Sequence, residues 1–264
     1  MTYLPVASKI RYVTEFAPEI LLRLGPLPVT NTLVNTIFVD GVIFAGVWYL
    51  QKHIQTIPGV FQNIVEIVTE TFYDLTESVA GKNTAKIFPY FMSFFLFILI
   101  ANWSGLIPGF SSVGFFVGSG SERHLVPFLR SATSDLNLTL GLSLISLVAT
   151  HALSINTIGL KEYLSRYFSL NPINLFVGLL EIISEITKVI SLSFRLFGNI
   201  LAGEVVLATI ASLFAFLFPI PFMLLEVIVG LVQSLIFAML TMVFMSILMT
   251  PHHGGHEAEE VIAK

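Results

Sequence analysis

The chain has 264 residues, of which 55% are hydrophobic and only 11% are charged, and its formal net charge is −4. Soluble domains are about 45–50% apolar and about 25% charged, so this composition excludes an ordinary soluble domain and predicts an all-α polytopic membrane protein. The mild acidic balance also excludes the basic footprint of a nucleic-acid-binding protein. The sequence contains no cysteine, which excludes disulfides and thiolate metal sites.

The first thirty residues mix polar and apolar side chains and close with the helix-stopping cluster Gly25-Pro-Leu-Pro28. We therefore expect 1–30 to be a surface segment that includes a short amphipathic helix at the membrane interface. The first span then runs from residue 31 to about residue 50, and Asn31 or Thr32 is expected to cap it.

The region 51–87 is the most polar part of the middle of the chain, and Pro58-Gly59 interrupts it. After this break, apolar residues recur at helical spacing opposite an acidic face, which predicts an amphipathic helix on the membrane surface or against a protein neighbour. The apolar positions are Phe61, Ile64, Val65, Val68 and Phe72. Asp40 lies within the preceding span, and we expect it to face other helices rather than to act in transport.

Two further spans are separated by a stretch rich in glycine and serine. The second span covers Phe88–Ile107 and is dense in phenylalanine, and residues 108–134 are expected to form an aqueous loop. The third span runs to about residue 156 with Ser134 or Asp135 as its N-cap, because an acid suits the positive end of the helix dipole. Asp135 is equally well placed for a water-filled entrance.

Two long apolar helices end the membrane part of the chain. A polar connection over 157–172 precedes the first helix, which extends from about 173 to 218, where Pro219-Ile-Pro221 interrupts the pattern. At 1.5 Å per residue this helix is roughly 65–70 Å long, about twice the hydrocarbon thickness, so it must tilt, kink or lie near the membrane plane. The second helix runs from about 222 to 249, and the two are expected to form a hairpin over 173–249.

The histidines do not form a predicted metal site. His151 lies near the far end of the third span, where helix packing explains it better than a proton relay does. A single integral membrane domain over 31–250 is expected to end in a solvated polar tail over 251–264. Three histidines belong to this tail: His252, His253 and His256.

One face of the first long helix carries a stripe of polar side chains. At 100° per residue its members lie within about 80° of one another. They are Glu181, Glu185, Lys188, Arg195 and Asn199, flanked by Ser184 and Ser191. Glu185 and Lys188 are spaced to pair. Arg195 keeps its charge in the membrane at high cost and has no opposite charge one turn away, so its partner must lie on another helix or subunit.

The last helix carries a second set of polar residues. A hairpin centred near residue 217 brings Glu204 level with about residue 230, so Glu204 and Glu226 can approach each other. Two neighbouring carboxylates in a low dielectric cannot both be ionised, so at least one is expected to bind and release a proton near neutral pH. The same alignment leaves Gln233 roughly 9 Å from the level of Arg195, so spacing alone does not predict their contact.

Six charged residues on the last two helices indicate ion movement rather than a purely structural role. No phosphate-binding glycine loop, nucleophile elbow or metal-ligand pair is visible, so we expect no catalytic site and no cofactor. Two alternatives remain open. One is a stand-alone ion-coupled secondary transporter or channel, although no internal repeat is visible. The other is a non-conducting membrane anchor, which leaves Arg195 unexplained.

The segment Ser191–Glu204, followed by Gln233–Thr241, resembles the a subunit of F-type ATP synthases of bacterial or plastid type. Pro58–Glu66 and Asp135–Thr139 also fit that family, and the resemblance covers nearly the whole chain from about residue 31 onward. The arginine motif is highly specific. The resemblance implies a membrane stator beside a rotating ring of c subunits that each carry a carboxylate, with further contacts to the b-subunit peripheral stalk and to other synthase subunits.

The resemblance also implies roles for individual side chains. Arg195 matches the arginine that faces the ring carboxylate and separates two offset aqueous half-channels. Glu204 matches a half-channel acid on the side where protons enter during synthesis, with Asn199 nearby. Gln233 matches a residue close to the arginine, and Ser191 matches a position on the other half-channel.

Other polar residues have less definite counterparts. Glu226 occupies a position that is histidine in some members of that family and glutamate in others. Asp135, Lys188, Glu181 and Glu185 are further residues that fit either a half-channel or a structural role. No metal site is implied.

The resemblance finally implies a topology and a location. Residues 1–30 and 108–134 would lie outside, whereas 51–87, 157–172 and the C-terminus would lie in the cytoplasm of a bacterium, with the chain in its plasma membrane. The implied function is to couple proton flow to ring rotation and ATP synthesis.

Overall fold

The computed structural model describes residues 20–24, 27–107, 114–117, 124–127, 130–167, 172–213 and 218–250. The α-helices within these ranges are α1 Asn31–His53, α2 Val60–Ala80, α3 Thr84–Leu106, α4 Leu136–Ile158, α5 Leu160–Tyr167, α6 Pro172–Leu213 and α7 Pro219–Leu248. Among the described residues, five helical segments are long and apolar enough to cross a membrane: 31–53, 60–106, 136–158, 175–213 and 219–248. The predicted all-α polytopic membrane fold is therefore confirmed.

Short strands flank the first and second spans. Strands β1 (Ile20–Leu24) and β2 (Leu27–Thr30) pair antiparallel, as do β3 (Gly114–Val117) and β4 (His124–Pro127). A short amphipathic helix was expected within 1–30. This expectation is wrong for Ile20–Leu24 and Leu27–Thr30, which form strands, and residues 1–19 lie outside the described residues. The prolines that stop a helix are equally compatible with the edge of a two-stranded sheet, which the sequence pattern did not distinguish.

Three helix starts follow from local chemistry. Thr30, rather than Asn31 or Thr32, caps α1, because its hydroxyl accepts a hydrogen bond from the Leu33 amide at 3.3 Å. Asp135 caps α4 as predicted, and its carboxylate accepts from the Asn137 amide at 2.9 Å. Helix α7 begins at Pro219, earlier than predicted, because a proline in the first turn lacks only an amide hydrogen that would have no partner there.

The connections are more structured than the sequence suggested. Helix α5 lies within 157–172, which was predicted to be a plain connection. The predicted aqueous loop ends in a segment, Ser131–Asp135, that is buried rather than solvated. This segment can be buried because the Thr133 hydroxyl donates to Asn102 at 2.7 Å. It also packs closely on α3, since a Cβ at Gly105 would lie 2.6 Å from the Cβ of Ser131.

The core lies between α3 and α7, the pair of helices with the most extensive contact. Its buried members include Ile87, Phe91, Phe95, Ile98, Phe237, Met242 and Met245. Helix α4 adds small polar side chains at helical spacing that bond across to the long helices. Ser146 and Thr241 are 2.8 Å apart, and Thr139 and Ser193 are 3.1 Å apart. Such interhelical hydrogen bonds contribute roughly 0.6 kcal/mol each, and here they fix α6 and α7 against α4.

Helices α1 and α2 lie at the periphery. Helix α1 buries Asn31, Thr32, Asn35 and Val39, all in its N-terminal half, while near its other end the Tyr49 ring packs edge-on against Phe61 of α2. Asp40 is exposed, so it is not buried against the other helices of this chain, and its expected position facing other helices stays a prediction. Helix α2 begins after Gly59 as predicted and is amphipathic, yet its apolar residues are largely exposed to the surroundings. These are Phe61, Ile64, Ile67 and Val68.

Candidate functional site

Arg195 lies on an exposed face of α6 and makes no hydrogen bond or ion pair with any residue that the structure describes. It borders an open groove of about 450 Å³ on the same face. The groove is also lined by Ser184, Lys188, Ser191, Leu240 and Phe244. A guanidinium that faces lipid alone is costly, so this geometry favours a counter-charge that approaches from outside the described part of the chain.

The other end of the polar stripe is neutralised within the chain. The Lys188 ammonium lies 2.8 Å from the Glu185 carboxylate, which confirms the predicted pair. Arg166 of α5 forms an ion pair with Glu181 at 2.7 Å, although its Nε–H does not point at the oxygen in hydrogen-bond geometry. The stripe therefore consists of two paired acids at one end and the unpaired Arg195 towards the other.

His151 takes part in a polar cluster between α4, α5 and α6. Its Nδ1 is 2.7 Å from the Tyr163 hydroxyl, and its Nε2 is 3.9 Å from Glu185. Burial raises the pKa of Tyr163 above its ordinary value, so this phenol stays protonated and can donate to Nδ1. The cluster ties the end of α4 to the paired acids of α6.

Asn199 and Gln233 meet across the two long helices. The Asn199 side-chain amide donates to the Gln233 oxygen at 2.9 Å. Asn199 lies one helical turn after Arg195, so Gln233 is brought near the arginine's end of the groove. Its hydrogen bond, however, goes to Asn199 and not to Arg195, in keeping with the offset that the hairpin alignment predicts.

Glu204 forms an ion pair that the sequence did not indicate. The Arg130 guanidinium approaches the Glu204 carboxylate to 3.2 Å, and the two side chains are 14% and 29% exposed. Arg130 precedes the buried segment Ser131–Asp135, which anchors it to α3. No local pattern marks this pair, because its members are 74 residues apart in the chain.

Glu226 lies beside Glu204 on the facing helix. Its carboxylate rests against Gly203, where any Cβ would overlap it. The residue is 7% exposed and within electrostatic range of Glu204, so the expected approach of the two acids is observed. Gly203 is required here because it leaves space for the carboxylate, and neither helix periodicity nor composition would have identified it.

The remaining predicted residues have structural partners or lie elsewhere. Asp135 caps α4 and also accepts a hydrogen bond from the Thr32 hydroxyl at 3.1 Å, so it joins α1 to α4. Ser191 lines the groove beside Arg195. Within the described ranges, no group of three potential metal ligands comes together. The polar tail over 251–264, with its histidines, lies outside the described residues.

Comparison with known proteins relates the chain to a family. The family model described as ATP synthase A chain matches residues 32–246. A protein of Moorella thermoacetica named ATP synthase subunit a is 30% identical, over 89% of this chain and 97% of its own length. ATP synthase subunit a 2 of Pelobacter propionicus is 34% identical, over 86% of this chain and 90% of its own. ATP synthase subunit a of Legionella pneumophila is 29% identical, over 93% and 95%.

Proposed function

The chain belongs to the ATP synthase A chain family, and we propose from this that it is the proton-conducting stator subunit of an F-type ATP synthase. As a member of that family it is an integral membrane subunit of a proton-translocating complex and associates with other subunits of the synthase. The observation that supports the finer proposal is the exposed guanidinium of Arg195, which has no partner in the described part of its own chain.

We infer that the partner of Arg195 is a carboxylate on each subunit of a rotating ring. A fixed positive charge favours the ionised form of a carboxyl that passes it, so the ring group loses its proton as it arrives. The same charge repels free protons and prevents a direct leak across the membrane. Thermal rotation of the ring is thereby biased in one direction, and this chain needs no catalytic site of its own.

Two aqueous half-channels, one on each side of Arg195, complete the proposal. Glu204 lies nine residues along α6 from Arg195, roughly 13 Å, and together with Glu226, Asn199 and Gln233 it marks one path. Ser191 marks the other path on the opposite side. Lys188, Glu181 and Glu185 line or support that second path. Movement of one charge across 100 mV releases ~2.3 kcal/mol, so several protons must pass for each ATP.

The proposal extends to domains, partners and location. Residues 31–250 act as one membrane domain, whose hairpin of α6 and α7 faces the ring. The exposed apolar faces of α1 and α2 provide surface for lipid and for the b-subunit peripheral stalk. The relatives are bacterial proteins, which favours the bacterial plasma membrane.

Extraction in mild detergent tests the proposed assembly. We expect the chain to come out of its native membrane together with a small, abundant hairpin proteolipid and the soluble catalytic sector, because Arg195 needs an external carboxylate. Recovery of the chain as a monomer that alone transports a solute would contradict the proposal and support a transporter. Harsh detergent provides the control, since it should separate the same chains.

A further inference from the structure

Lys188 is a second cation on the face of α6 that carries Arg195. It lies two helical turns before Arg195, roughly 10 Å along the helix axis. Both side chains line the same open groove. The Lys188 ammonium also lies 4.4 Å from the centre of the Phe244 ring of α7, a cation–π contact that keeps it in the groove. A ring carboxylate that reaches Arg195 therefore also comes close to Lys188.

Glu185 neutralises the charge of Lys188. Its carboxylate lies 2.8 Å from the ammonium, and Glu185 is only 7% exposed. Salt and water screen a buried pair of this kind weakly, so the pair as a whole presents no net charge to the groove. The other acid on this face, Glu181, is engaged by Arg166 of α5 at 2.7 Å. Among the described residues, Glu185 is thus the acid that pairs with Lys188.

Residues of two other helices support the Glu185 carboxylate. When the Tyr163 phenol of α5 donates to Nδ1 of His151 at 2.7 Å, the neutral imidazole carries its hydrogen on Nε2. This Nε2 lies 3.9 Å from Oε2 of Glu185, whereas Lys188 approaches Oε1. The carboxylate therefore has neighbours on both oxygens and is held more firmly than in a solvated pair on a helix surface.

We propose that Glu185 masks the charge of Lys188, so that the passing ring carboxylate responds to Arg195 and not to Lys188. The inference rests on the proposed function and makes Glu185 a positioning residue, with His151 and Tyr163 as its supports. An unmasked ammonium would favour the ionised form of the ring carboxylate at a second point, two turns from Arg195. The ionised group would be held there, and rotation of the ring would stall.

ATP-driven proton pumping and ATP hydrolysis, measured together on the assembled complex, test this role. We expect Glu185→Gln to lower both rates by at least about tenfold, because it leaves a poorly solvated cation without its partner. Hydrolysis falls with pumping because a held ring also stops the rotation to which hydrolysis is coupled. Loosened packing alone would let hydrolysis continue while pumping falls, so the joint loss distinguishes a held ring from a damaged fold.

Two further variants separate charge from structure. Adding Lys188→Gln to Glu185→Gln removes the unmasked cation and should raise both rates by about threefold or more, as expected for residues in one charge network. Glu185→Asp keeps the negative charge and should be several-fold faster than Glu185→Gln. Rates are expressed per assembled complex, counted by recovery of the ring with the chain, so that poor folding is not mistaken for a held ring.

Native rates in Glu185→Gln would overturn the inference, as would hydrolysis that continues in this variant while pumping is lost. A double variant that stays as slow as Glu185→Gln, or equal rates in Glu185→Asp and Glu185→Gln, would overturn it as well. Normal pumping by Arg195→Ala would defeat the proposed function instead, so the two failures are distinguishable.

Discussion

Replacement of Arg195 by alanine is expected to abolish ATP-driven proton pumping while the soluble ATPase activity stays measurable. The side chain is exposed and has no partner among the described residues, and on the proposed function its loss removes the positive charge that deprotonates the ring carboxyl and blocks the leak. Removal of preorganised charge stabilisation typically costs about 10²–10³-fold in rate. Quenching of a pH-sensitive dye in inverted vesicles measures the pumping.

The matched control is Lys82→Ala, which removes an exposed cation from the turn between α2 and α3. We expect this variant to pump at a rate close to that of the native complex, because a solvated charge there lies away from the groove. Normal pumping by Arg195→Ala in assembled complexes would refute the central role of the guanidinium.

Glu204→Gln is expected to slow proton flux by at least about tenfold without stopping it completely. A loss of this size is typical when a side chain that transfers protons is removed. The substitution removes the anion that Arg130 contacts at 3.2 Å and that lies within electrostatic range of Glu226. Loss of this carboxyl would remove one proton-transfer group from the proposed path and one negative charge from beside Arg130. Initial rates of passive conduction and of ATP-driven pumping measure the effect.

Glu70→Gln supplies the corresponding control, because it makes the same change of charge at an exposed position on α2. The loss of an exposed charge has little energetic effect. Native rates are expected for this variant. An unchanged rate in Glu204→Gln would show that Glu226 or water alone supplies the ring, and that the ion pair with Arg130 has no part in the flux.

Much of the fold follows from the sequence because long apolar runs and helix caps are local signals. The starts of α2 and α4 at Pro58-Gly59 and Asp135 agree with the structure for this reason. The buried segment Ser131–Asp135 could not be predicted, because its burial depends on Asn102 and on Gly105 far along the chain. Short polar stretches are compatible with either water or a hydrogen-bonded interior, and only the tertiary partners decide between them.

The candidate site could likewise be predicted only in part. The stripe on α6 and the pair Glu185–Lys188 follow from helical geometry, as does the isolation of Arg195 from charges one turn away. The contact between Asn199 and Gln233 could not be predicted from residue spacing, because it depends on how α6 and α7 pack against each other. Arg130 could not be predicted at all, because it reaches Glu204 through a tertiary contact that leaves no periodic trace in either segment.

Cross-linking between this chain and the ring tests the central claim most directly, since the chain has no native cysteine. Ser191→Cys places a thiol in the groove that Arg195 borders, and Ser78→Cys places one on the exposed face of α2. With a second cysteine beside the ring carboxylate, oxidation should link Ser191→Cys to the ring and leave Ser78→Cys unlinked. A ring that cross-links only to α2, or an assembled complex in which position 191 never links to it, would contradict the account.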